Sequence, residues 1–309
     1  MTAPLIAAGS VRLALRESTV LLMAGLFAVL VLVSAWLGWQ ATATVNRIYL
    51  DAAEFLAASG KPVPTNPVQD SSPLILMRNM VVYVILIGAL SAVVMGNRLV
   101  AVDRKAGVLA LIASRPVTRA SYATGKIAAL GLLVGGLSAT AAVVGTATLL
   151  ALPGAVVTAQ MGLHLAGFFA LSALYMLIFG LISLAATAAV RSESVGLLVP
   201  VTVWLAVTFI LPALTLNLTP TAVLNPISAL ATPPDTGFFR GAGWALGPIS
   251  LAEGYGALSA GLLDFRPSGW VSRAAVPPLV SLTAALVLAA TLAFAALSHL
   301  SPTEVDYDA

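Results

Sequence analysis

The sequence predicts an all-α fold: a polytopic membrane helix bundle with six transmembrane helices, built as a single transmembrane domain over residues 1–309. Three observations predict it. Hydrophobic residues make up 60% of the chain, and a mean hydropathy of +1.01 is too high for folding around one aqueous core. Six charge-free apolar runs stand out, at 20–39, 80–96, 127–152, 165–190, 195–216 and 276–297. Each is close to the roughly 20 residues that a helix needs to cross a hydrocarbon core of about 30 Å. The 15 Lys and Arg and the 12 Asp and Glu all lie outside these runs.

Orientation follows from where the basic residues fall. Arg12, Arg16, Arg98, Arg104, Lys105, Arg115, Arg119, Lys126 and Arg191 lie in the terminal and connecting pieces of one side, about 64 residues in all. The loops of the other side, about 107 residues long, hold only six. This bias places both termini in the cytoplasm.

Residues 1–19 mix Leu5, Ile6, Val11, Leu13 and Leu15 with Arg12, Arg16 and Glu17, a pattern for a cytoplasmic amphipathic helix on the inner surface. A flexible, positively charged tail is the other reading. Ala41-Thr-Ala43 has the form of a signal-peptide cleavage site, but the 20–39 run exceeds the apolar stretch of about 7–15 residues in such peptides, so a retained first span is expected. The outer loop 40–79 begins with Val45, Ile48, Tyr49, Ala52, Phe55 and Leu56 at helical spacing. GKPVPTNPVQDSSP then breaks that pattern, predicting a helix and an irregular return.

In the third run, Gly131, Gly135 and Ala139 recur at four-residue intervals, a small-residue stripe suited to close helix packing and expected to face a neighbour in the same chain. Only 191–194 separate the fourth and fifth runs, which predicts a tight antiparallel hairpin, and Pro200 and Pro212 predict kinks in the fifth. The outer loop 217–275 is rich in Gly and Pro. Its apolar part, 245–263, is interrupted by Gly247, Pro248, Glu253 and Gly254, which predicts a broken re-entrant or interfacial helical segment rather than a seventh span. Trp244, Tyr255 and Trp270 suit the outer interface.

The chemistry that is missing narrows the function. There are no cysteines, hence no thiolate catalysis or Cys-based metal site. No ionisable group sits in the six runs, which argues against proton coupling and, less strongly, against sodium coupling. His164 and His299 fall at opposite membrane faces and cannot share a metal. Glu253, Asp264 and Arg266 read as groups of a solvated loop. SGKP at 59–62 and TGKI at 124–127 both lack the residues of a phosphate-binding loop. No catalytic, cofactor-binding or metal residue is therefore expected, and a net charge of +3 gives no reason to expect nucleic acid. Anything such a bundle moves must be driven by another subunit.

One stretch remains: residues 103–126, DRKAGVLALIASRPVTRASYATGK, carry five of the fifteen Lys and Arg residues. They belong to the long cytoplasmic loop 97–126. Helix propensity holds over 99–113, with Val108, Leu109, Leu111 and Ile112 as an apolar side. Pro116 stops that helix and Thr118 can cap the next, giving a helix, a turn bracketed by Arg115 and Arg119, and a second helix. On charge alone, a loop lying on anionic lipid explains the segment as well as a protein partner does.

The register carries more. Asp103, Arg104, Gly107, Leu109, Ile112, Ser114, Arg115, Pro116, Val117, Thr118 and Arg119, followed by Gly125 and Lys126, resemble the cytoplasmic loop of ABC-2 type transporter permeases. SRPVTR followed by GK is the specific part, and six spans with large outer loops before the second and sixth agree with that family. LNP at 224–226 is similar to an element of the branch that includes the nitrous-oxide-reductase maturation permease. Two departures are present: Asp103 stands where the family usually has Glu, and Gly107-Val108 where it has Gly-Thr.

The resemblance implies a permease subunit of the bacterial inner (plasma) membrane, present in two copies. Loop 97–126 would be the coupling segment, docking on a separate ABC ATPase subunit through Asp103, Arg104, Gly107, Leu109, Ile112, Arg115, Pro116, Arg119 and Lys126. ATP hydrolysis would reside in that partner and not in this chain, which would move a substrate outward. The alternative is a membrane scaffold or assembly factor that binds an extracytoplasmic protein through its outer loops.

Overall fold

A computed structural model of the chain describes residues 3–66, 68, 72–105, 117–151, 158–216, 236–265 and 274–300. Every regular element among them is helical: α1 (Ala3–Arg16), α2 (Ser18–Ala58), α3 (Pro73–Arg104), α4 (Arg119–Ala151), α5 (Ala159–Ala189), α6 (Glu193–Thr215), α7 (Gly237–Leu246), α8 (Leu251–Leu262) and α9 (Pro278–His299). Six of them, α2 to α6 and α9, are long and apolar enough to cross a membrane, and each coincides with one of the six apolar runs to within two residues or contains it.

Burial divides these six into inner and outer helices. In α3 and α5, 67% and 61% of the most apolar window is buried, against 17% in α9 and 22% in α6. α5 is the central pillar and packs against α3, α4, α6, α8 and α9. Its Phe168, Tyr175 and Phe179 are completely enclosed. The exposed rows of Leu and Val on α2, α6 and α9 are what a lipid-facing surface requires, since hydrocarbon does not penalise them.

α3 and α5 approach where neither has a side chain to separate them. A Cβ on Gly96 would collide with the Gly180 carbonyl, so the backbones meet there. Ser183 Oγ donates to the Val93 carbonyl at 2.7 Å and Asn97 Nδ2 to Thr187 Oγ1 at 3.0 Å, which fixes the register along the same seam. The α5–α6 hairpin forms as the short connection predicts. Ser192 caps α6 by accepting from the Val195 N–H, and Gly196 lies against Thr187.

Two turns widen to π geometry, Val84–Gly88 in α3 and Ala206–Ile210 in α6. The second immediately precedes Pro212, whose ring would clash with a carbonyl one turn earlier, and a wider turn relieves that clash. The irregularity expected in the fifth span thus takes this form, while Pro200 lies inside the helical stretch Glu193–Leu205.

The outer segments differ in detail from their expected forms. The helix expected after the first span is continuous with it, because nothing from Trp39 to Ala58 breaks the pattern. α2 is therefore 41 residues long, about 60 Å. It stops at Gly60, which takes a positive φ of 67° that favours glycine. The return is tied back to it: Tyr49 Oη donates to the Pro64 carbonyl at 2.7 Å, and Asn66 Nδ2 to Asn46 Oδ1 at 2.8 Å. The broken pair before the last span is present as α7 and α8, interrupted at Gly247–Ile249 where Gly247 and Pro248 fall.

Glu253 needs a correction. It was expected in a solvated loop, yet it is 0% exposed, because α8 folds inward against α5 and α9. Thr215 Oγ1 at the end of α6 lies 2.9 Å from its Oε2.

Candidate functional site

The flanks of the 103–126 segment are held by one buried polar knot. α3 ends with Leu99 and Asp103 one turn apart, and α4 begins with Tyr122 and Lys126 one turn apart, so each pair shares a face and the two faces meet. Lys126 Nζ lies 2.7 Å from Asp103 Oδ2, with the side chains only 4% and 8% exposed. The same ammonium donates to the Leu99 carbonyl at 2.8 Å. Tyr122 Oη donates to Asp103 Oδ2 at 2.8 Å, and its ring centroid lies 5.6 Å from Lys126 Nζ. Buried charges are tolerated only when paired and hydrogen-bonded, and here both are.

Three neighbours complete the knot. α1 forms as the amphipathic pattern predicts, and its Ile6 and Ala7 are buried. It rests on Gly125, where an added Cβ would fall 2.8 Å from Ile6 Cβ and 3.0 Å from the Ala3 carbonyl oxygen. Gly125 therefore admits α1 and Lys126 binds α3, which gives the adjacent Gly-Lys two separate structural tasks. A cavity of about 20 Å³ between α1 and the ion pair, reached by Ser10, Glu17 and Arg98, has room for about one water. Arg104 reaches sideways, donating to the carbonyls of Val190 at 2.6 Å and Ala188 at 3.0 Å. A cation on the final carbonyls of α5 satisfies orphan acceptors and suits the helix dipole.

Thr118 caps α4 as expected, its Oγ1 accepting from the Ser121 N–H at 3.1 Å, although the helix it starts is α4 itself rather than a separate short one. Arg119 is exposed on the first turn. A cation there opposes the helix dipole.

The nine residues expected to dock a partner thus fall into three groups. Asp103 and Lys126 are buried and pair at the base of the segment. Arg104 is half-buried on the end of α5, and Arg119 is at the surface. Gly107, Leu109, Ile112, Arg115 and Pro116 lie outside the described residues, as does the helix expected through residue 113 beyond Lys105. Tyr122 is the member of the knot that the sequence reading missed. Its signal was its position one turn before Lys126 at the mouth of a span.

The small-residue stripe does not pack as expected. A Cβ on Gly131 or Gly135 meets nothing within 4 Å, and Ala139 is exposed. α4 makes its close approaches through other glycines, Gly125 against α1 and Gly145 against Phe169. Among the described residues no group of three or more His, Asp or Glu is placed to hold a metal ion. Compared with family models and with curated proteins, the chain matches none.

Proposed function

We propose that the chain is the transmembrane permease subunit of an ABC-2 type transporter, moving a substrate across the membrane while a separate ATPase subunit docks on the 97–126 segment. The observation that supports this reading best is the Asp103 and Lys126 knot. It ties the two ends of a segment with the SRPVTR register to α3 and α4, and Arg104 ties it to α5. A push on residues 106–119 then moves three spans together, which a loop floating on lipid has no need to do. Asp103 and Lys126 act as positioning residues, and docking falls to Arg119 and the residues around Pro116.

Both termini are cytoplasmic in this proposal, two copies form the pathway, and the membrane is the bacterial inner membrane. Basic residues at the docking face orient the encounter and raise its rate more than its affinity. The test is copurification with an ABC ATPase subunit, sought first among the proteins encoded beside this chain. Charge reversal at Arg115 and Arg119 should abolish the complex while leaving the permease folded, and an undiminished complex sinks the proposal.

A second reading, a membrane scaffold that binds an extracytoplasmic protein, is favoured by one observation. Beyond the first span α2 continues with Val45, Ile48, Ala52 and Phe55 on one face, and Ile48 and Phe55 are 63% and 71% exposed. Ile48→Asp with Phe55→Asp separates the two readings, because transport that survives the pair leaves this surface without a part in it.

A further inference from the structure

At the end of the bundle opposite the knot, α2 and the start of α3 touch and then part. They touch at Gly38, where a Cβ would collide with the Leu76 backbone. One turn further they flank a half-open cavity of about 160 Å³ lined by Gly38, Ala41, Thr42, Val45, Ile75 and Arg78, with Val68 of the return segment at its side. Its walls are apolar apart from the Thr42 hydroxyl, which donates to the Gly38 carbonyl, and its one charged side chain is Arg78, half-buried and making no side-chain ion pair or hydrogen bond with any described residue. A half-buried guanidinium with five donors and no acceptor among the described residues is an incomplete arrangement.

Two further features say what completes it. Trp36 and Trp39, with ring centroids 5.3 Å apart, flank Gly38 on α2, and tryptophans of this kind mark the level of lipid headgroups. Below the cavity, Leu37, Val33 and Val29 continue the four-residue row of Val45 and Ala41 along α2, and all three are exposed. A cation at headgroup depth therefore stands at the top of an open apolar track.

We propose that this cavity is a binding site for a glycerophospholipid. Arg78 takes the phosphodiester, the glyceryl carbons fill the apolar walls, and an acyl chain runs down Leu37, Val33 and Val29. Arginine suits the phosphate because its planar fork donates to two oxygens together, and the apolar track adds affinity that a free anion lacks. The inference stands independently of the transport reading.

The test is native mass spectrometry of the purified full chain in neutral detergent, titrated with phosphatidylglycerol. Wild type should bind one lipid at least tenfold more tightly than Arg78→Gln, the loss expected for a charge-assisted hydrogen bond. Arg78→Lys should recover part of that difference. Ala41→Phe, which fills the cavity and keeps the charge, should lose the lipid to a similar extent and carries the test where Arg78→Gln fails to fold. Diacylglycerol, which lacks the phosphate, and inorganic phosphate, which lacks the chains, should each bind far more weakly. Unchanged phosphatidylglycerol affinity in Ala41→Phe and in a folded Arg78→Gln overturns the proposal. Equal binding of diacylglycerol, or of inorganic phosphate alone, overturns it as well.

Discussion

The indole Nε1–H of Trp204 donates to the backbone carbonyl of Ile85 at 2.9 Å, a bond that joins α6 to α3 across the bundle. Ile85 lies within the π turn of α3, and Trp204 sits two residues before the π turn of α6. A π turn leaves backbone groups poorly matched to their own helix, and a side-chain donor from a neighbour satisfies one of them where water is absent. Trp204 is itself almost buried, with its ring edge-on to Phe209 at 5.9 Å.

Trp204→Phe keeps most of the apolar body and removes the donor. It should lower stability by about 1–3 kcal/mol, the cost of leaving a buried carbonyl unmet. Thermal unfolding of the purified protein in detergent measures this. A midpoint equal to wild type would show that the bond contributes nothing.

The Asp103 and Lys126 pair predicts non-additivity. Removing one partner strands a buried charge, so Asp103→Asn and Lys126→Met should each destabilise by about 3–5 kcal/mol. The double variant should be less damaged than the sum of the two, because neither charge is then left alone. A double-mutant cycle on unfolding checks this, and additive losses would mean that the two groups do not act as a pair. Tyr122→Phe should fall below either single variant, near 1 kcal/mol in order of magnitude, since it removes only one hydrogen bond.

How much of this was legible in the sequence depends on how local the cause is. The six long apolar helices were legible because each is an uninterrupted apolar run, and the break between α7 and α8 because Gly247 and Pro248 are local punctuation. Thr118 was legible for the same reason. Burial of polar residues was not, because it depends on which helices pack together. Asp103 and Lys126 looked like surface charges of a basic loop, although an acid at the end of one span and a Lys at the start of the next is also the pattern of a pair closing a helix hairpin. Glu253 sat in an otherwise apolar stretch, a cue to burial that the solvated-loop reading passed over. The stripe of Gly131, Gly135 and Ala139 misled in the opposite sense, since spacing alone does not say whether a neighbour occupies that face.

Glu253 and Thr215 give a prediction of a different kind. The Thr215 hydroxyl lies 2.9 Å from Glu253 Oε2 and 3.0 Å from the Leu211 carbonyl, and its single proton serves one of them at a time. Thr215→Val is near in shape and offers no proton, so it should destabilise by about 1–3 kcal/mol. Thr215→Ser should stay close to wild type. Thermal unfolding of both variants decides it, and a harmless Thr215→Val would show that the carboxylate is held by other groups.

The glycines of α3 and α4 supply the sharpest contrast between spacing and structure. Gly96 has the Gly180 carbonyl where its side chain would be, whereas Gly131 has open space. Gly96→Ala forces α3 and α5 apart at the centre of the bundle, where contacts with backbone cannot rotate away. It should cost at least about 1–3 kcal/mol, and Gly96→Leu should prevent accumulation of folded protein. Gly131→Leu adds an apolar side chain to a face that meets nothing within the chain and should leave the unfolding midpoint of the monomer within a few degrees of wild type. Detergent-stability scans of the three variants test both halves. Equal sensitivity at the two positions would mean that the α3–α5 approach is looser than its geometry implies, or that the Gly131 face is covered in the assembled protein. Chemical crosslinking of the Gly131→Leu variant tells these apart, because only a covered face loses a crosslinked dimer.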